Sequence, residues 1–283
     1  MRQDERSGSR RLVPAALIVI VGLLAAATPA QAWSPVVHEA VTNRAVETLP
    51  KPLKQFYKAH RLEMPSLSPD AGEEETAPPE EGPERRFAAD ALLPFPFADL
   101  PRSEAELKAR FGERADKVGR LPWLIQESYP RLVEAFKARD KAKILSESDA
   151  LAALVADLNN PLAVTENFDG QKTGQHGLWV RFSAKLPEAM GKRLVLNPDT
   201  ARYLDDPREY VFSVIARSYV WVDNLLYAED LAHRGKSGYS EIYFEALRLR
   251  LEPLVKERLS AAAEDAGSYW YTAWTAAGKP ALP

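Results

Sequence analysis

The chain contains no cysteine. That excludes disulfide staples and, with no thiol at the end of the N-terminal apolar run, a lipid anchor of the bacterial lipoprotein type. An exported chain of this composition must be held by its core, or by its core together with a metal. An excess of basic charge is also missing: 37 Lys and Arg stand against 40 Asp and Glu. This is not the electrostatic footprint of a duplex-DNA binder, although it leaves room for a small phosphate ester held by a metal. Strand-like alternation never runs longer than four residues, and there is no internal repeat. Beyond the first 32 residues no apolar segment is long enough to span a bilayer, which takes roughly 20 residues.

What the chain does have begins at its N-terminus. Arg2, Arg6, Arg10 and Arg11 precede an apolar run from Leu12 to Ala27, and Ala30-Gln31-Ala32 supplies the small-x-small pattern of a leader cleavage site. Residues 1–32 are thus expected to be a cleaved signal peptide, with an exported, periplasmic or secreted, mature protein beginning at Trp33. The other reading is an uncleaved N-terminal anchor. The leader carries four basic and two acidic residues, so 33 basic and 38 acidic side chains remain after cleavage. Residues 33–283 suit one sizeable domain.

That domain reads as helices joined by loops. Ser34-Pro35 starts a helix running to about Leu49, with a hydroxyl at the cap and proline at the first helical position. A short helix over 53–60 follows. Residues 61–84 hold five prolines and a run of acids, and read as a loop with a mobile centre. Ser103-x-x-Glu106 is a capping box for a helix that Gly112 closes. Pro122 opens another. Residues 149–158 form a helix ended by Asn159-Asn160-Pro161, and 165–177 form a glycine-rich loop. Asp206-Pro207 starts a helix expected to run through Leu231, and Ser240 starts the last, to about Ala277. The expected fold class is all-α, a single multi-helix domain.

Three places carry candidate chemistry. Cleavage would give Trp33 a free α-amino group beside its own carbonyl, and the two atoms can chelate a metal. His38 lies within reach in the first turns of the same helix. Asp157 stands in an otherwise apolar helical stretch, and a carboxylate on a buried face needs a metal, an arginine or a helix N-terminus as partner. Asn167 to Phe182 is dense in Gly, Gln and Asn, which suggests a specific loop conformation. The aromatic cluster Tyr269, Trp270, Tyr271 and Trp274 suits either core packing or a lipid interface.

Taken together, Trp33 with His38, the A-D-x-x-N-P segment from Ala156 to Pro161, the loop from Asn167 to Phe182 and the tail from Tyr269 to Pro280 resemble the zinc-dependent phospholipase C and single-strand nuclease superfamily, in its bacterial exported phospholipase C-like branch. The resemblance covers most of the chain after Trp33. It implies an all-α fold around a three-zinc cluster, one zinc being held by Trp33, His38 and Asp157. It also implies a phospholipid or another phosphodiester as substrate. The chain departs from the pattern elsewhere: Ala153, Ala163, Trp179 and Ser183 occupy positions where the resemblance implies further ligands. A His-aromatic segment falls at Arg86-Phe87, and a further acid is matched by Asp70 or by its rival Asp90. Alanine cannot bind zinc, which wants about four ligands. At most one zinc is therefore expected. Three readings stay open: a degenerate member with catalysis lost or much reduced and room for one metal on Trp33, His38 and Asp157; an active phosphoric ester hydrolase with a reduced metal site, using Asp70 and with Arg86 or Arg181 replacing a metal's charge; and a metal-free envelope binding or scaffold protein. No protein partner can be inferred.

Overall fold

A computed structural model describes residues 32–67, 84–236 and 238–283. Most of the expected leader (residues 1–31), the centre of the acidic loop and Asp70 lie outside the described residues. The described chain is helical, with no strand among the described residues, as the all-α reading expects. Its helices are α1 (Pro35–Thr48), α2 (Lys51–Ala59), α3 (Glu104–Phe111), α4 (Leu121–Ala138), α5 (Lys141–Leu158), the short α6 (Leu178–Val180) and α7 (Leu186–Met190), then α8 (Pro207–Tyr219), α9 (Val222–His233) and α10 (Glu241–Ala276). No described helix is long and apolar enough to cross a membrane.

Local chemistry explains most of the starts. The Ser103 hydroxyl accepts from the Glu106 N–H, and the Asp206 carboxylate accepts from the N–H groups of Arg208 and Glu209, each meeting orphan donors of a first turn. Two expectations need correcting. Helix α5 begins at Lys141, well before residue 149, because Asp140 caps it by accepting from the Lys143 N–H. The helix expected from Asp206 through Leu231 is two helices, α8 and α9, separated at Val220-Trp221. The last helix runs without interruption through Pro253.

The core falls into two clusters. One is built on α4, α5, α8 and the second half of α10. It includes Trp270, whose ring stacks on Tyr57 and whose indole N–H reaches the Ser148 carbonyl at 2.9 Å. Tyr269 is also buried, donating its hydroxyl to the Pro207 carbonyl at 2.8 Å, so the heart of the aromatic tail is core packing. The second cluster gathers Trp33, the start of α1, residues 178–190 and the first half of α10. Helices α1 and α10 cross closely at Gly267, where a side chain would collide with the Thr48 hydroxyl and crowd the Ala45 carbonyl. Helix α1 is thereby held beside α5, and the candidate site lies along their contact.

Candidate functional site

Asp157 sits in the last turn of α5 and is fully buried. An anion there is opposed twice, by the loss of water and by the negative end of the α5 dipole. The fold answers with cations and donors. His38, from the first turn of α1, places Nε2 2.9 Å from Asp157 Oδ1. Arg85 donates Nε to Oδ2 at 2.7 Å and brings Nη2 within 2.6 Å of the same oxygen. The backbone N–H of Ala32 adds a further hydrogen bond to the carboxylate. Burial pushes the Asp157 carboxyl up, but the Arg85 charge and then His38 outweigh it, and the carboxyl is held below its ordinary value.

Trp33 arrives at the same place through its side chain. Its indole N–H donates to the Ala156 carbonyl at 2.9 Å, one residue before Asp157, and its ring lies 5.3 Å from that of Phe182. Asn160 ties the entry down. Its Nδ2 donates to the Ala32 carbonyl and to Ser183 Oγ, both at 2.9 Å, while its Oδ1 accepts from the Leu162 N–H. The Ser34 N–H completes the clamp on the Ser183 carbonyl at 3.2 Å. Trp33, His38 and Asp157, selected from sequence, are thus brought together.

A second carboxylate extends this contact two turns along α5. Asp149 accepts from the Ser66 hydroxyl and, at 3.0 Å, from the Ser66 N–H. Ser66 Oγ also lies 3.3 Å from Thr42 Oγ1, whose hydroxyl stands one turn beyond His38 on α1. Burial raises the Asp149 carboxyl, against the pull of the Ser66 donors.

The remaining candidates have structural partners. Arg86 is buried, with its guanidinium 4.2 Å from the centre of the Phe168 ring. Arg181 is locked by Glu229 at 2.9 Å, by Tyr243 Oη at 3.0 Å and by the carbonyls of Gln175 and His176. Asp90 accepts from Thr165 Oγ1 at 2.6 Å and from the Glu166 N–H at 2.7 Å, bracing the start of the glycine-rich loop. That loop has a specific conformation. The Asp169 carboxylate accepts from the N–H groups of Gly177 and Trp179. Gly170 is in the left-handed region, and a Cβ there would lie 2.6 Å from Gln175 Cβ.

The geometry also bears on a metal. A tetrahedral zinc bound to both His38 and Asp157 would hold their donor atoms about 3.3 Å apart, a small opening from 2.9 Å. The other oxygen, however, already carries the Arg85 cation. Ala163, Trp179 and Ser183 are fully buried and supply no free donor: the Ser183 hydroxyl is taken by Asn160, and Trp179 presents a ring whose N–H has no partner. No group of three or more His, Cys, Asp or Glu suited to a metal occurs among the described residues. These residues do not fit a three-zinc cluster.

Sequence reasoning required a partner for Asp157 and allowed an arginine, but it did not find Arg85. Only the doubled arginine at the end of the acidic loop pointed there. No family model matches the chain, and no curated protein does.

Proposed function

We propose that this is an exported, non-catalytic protein built on a phospholipase C/nuclease-like helical domain, in which an arginine cation has taken the place of a metal ion at the buried carboxylate. The observation that carries the reading is the Arg85–Asp157–His38 triad. Arg85 sits on Asp157 Oδ2 with two nitrogens, at 2.7 and 2.6 Å, and the carboxylate is fully buried. The triad neutralises Asp157 without a metal. Phosphodiester hydrolysis by bound metals needs ions that activate a water and hold both oxygens of the displacement, and a triad whose groups are committed to one another offers neither. The domain then serves as a binding or scaffold unit in the envelope or outside the cell.

The second reading is a single zinc on the Trp33 amine and carbonyl, His38 and Asp157. The near-ligand spacing of His38 and Asp157 favours it, and it requires Arg85 to leave the carboxylate. Turnover tests the proposal. Processed protein supplied with zinc is expected to hydrolyse neither bis-nitrophenyl phosphate nor phosphatidylcholine above background. Robust hydrolysis that disappears in Asp157→Ala would overturn it.

A further inference from the structure

The bond between Ala32 and Trp33, where the sequence places leader cleavage, is enclosed by the fold of the uncut chain. Ala32 and Trp33 are both 0% exposed. The Ala32 carbonyl accepts from Asn160 Nδ2 at 2.9 Å, and its N–H is bonded to Asp157. On the other side the Trp33 indole is fastened to the Ala156 carbonyl at 2.9 Å, and the Ser34 N–H to the Ser183 carbonyl at 3.2 Å. Every one of these partners is itself buried. A peptidase must draw several residues around the scissile bond into its own cleft, so it acts on exposed or locally opened chain. Opening this segment means releasing four hydrogen bonds and pulling a buried tryptophan out of the second core cluster.

We infer that Ala32–Trp33 is a conditional processing site: it is cut only before the N-terminal segment docks, and the folded precursor resists the peptidase. This rests on the reading of residues 1–32 as a cleavable leader. Two fates follow from a race between cutting and docking. A chain cut first is released with Trp33 as its N-terminus. A chain that docks first keeps its leader and stays tethered by the apolar run from Leu12 to Ala27. Docking rate, set by the Trp33 and Asn160 contacts, then decides how much protein is released and how much is retained.

The test uses the full-length precursor, folded in detergent and incubated with purified leader peptidase. A parallel sample is held in just enough urea to unfold the chain while the peptidase still cuts a control peptide. The product is read by intact mass. The folded precursor is expected to be cut at least about a hundredfold more slowly than the unfolded one. Trp33→Ala, which loses the indole anchor, is expected to be cut faster than native under folding conditions. If this variant fails to fold, Asn160→Ala makes the same comparison, losing the clamp on Ala32 and Ser183 together with the cap on the Leu162 N–H. Equal rates for folded and unfolded precursor, with the product beginning at Trp33, would overturn the inference and leave the leader reading intact. A product beginning elsewhere, or none from the unfolded chain, would overturn both.

Discussion

Replacing Arg85 with methionine removes the cation from Asp157 while keeping most of the buried stem. The carboxylate is fully buried, and burial is the largest influence on it. With Arg85 gone from the uncut chain, only His38 and the Ala32 N–H remain to hold the charge. Breaking a buried pair by deleting one partner costs about 3–5 kcal/mol, because the other charge is left uncompensated. The size of the loss should depend on pH, and its sign can be worked out. In the native chain the Asp157 carboxyl is held below its unfolded value of about 3.9. The stability it contributes is therefore present above that value and is lost as pH falls through the folded value. In Arg85→Met, burial prevails and the folded value rises above the unfolded one, so the contribution reverses: the variant loses stability as pH climbs from about 4 towards 7. Other buried carboxyls that burial raises, such as Asp90 and Asp149, affect both proteins alike and cancel in the difference. Urea unfolding followed by tryptophan fluorescence from pH 3 to 8 measures that difference. It is expected to be small at pH 3 and to grow to about 3–5 kcal/mol at pH 7. A difference below about 1 kcal/mol that does not change with pH, as for an exposed pair, would refute the reasoning.

Three further outcomes can be checked. Arg85→Met combined with Asp157→Asn should cost less than the two single changes added together, by about 1–3 kcal/mol in a double-mutant cycle, whereas strict additivity would mean that the pair is not coupled. Gly267→Ala should lower stability by about 1–3 kcal/mol in the same unfolding assay, because its methyl group must displace Thr48 where α1 crosses α10; an unchanged midpoint would show that the helices part freely. Glu229→Gln should destabilise by about 3–5 kcal/mol and loosen the glycine-rich loop, since it strips the countercharge from buried Arg181. Hydrogen exchange across residues 167–181 would report that loosening, and unchanged protection there would count against the lock.

The fold was legible wherever a helix start carried its own chemistry. Ser103 with Glu106 and Asp206-Pro207 each announce a side-chain cap that forms, and Pro35 opens α1 although the Ser34 hydroxyl makes no cap bond. Apolar patterning misled where it continued across a break. Val220 and Trp221 extend the stripe from α8 into α9, so one helix was expected where the backbone makes two. The early start of α5 was missed because its first two turns mix Ile144 and Leu145 with lysines and serines, and only Asp140 marks the cap. At the site, Asp157 stood out because a lone acid among Leu, Val and Ala needs a partner when buried. Trp33 and His38 were found as well, both lying close to a helix start. Arg85 was not, because it pairs with Asp157 across 72 residues of chain from the end of a segment without periodicity. Asp149 was missed for a related reason: its partner Ser66 lies in the proline-rich stretch read only as loop. Long-range pairing of polar groups leaves no mark in local pattern, and this site is made almost wholly of such pairs.

Zinc content of the processed protein bears most directly on the claim that Arg85 stands where a metal would. The protein is equilibrated with excess zinc, freed of unbound ion and analysed by mass spectrometry beside Arg85→Met. Native protein is expected to retain no zinc above background, and Arg85→Met, with Asp157 and His38 released, to retain more. One or more tightly held zinc ions per native chain, lost in Asp157→Asn and unaffected by Arg85→Met, would contradict it.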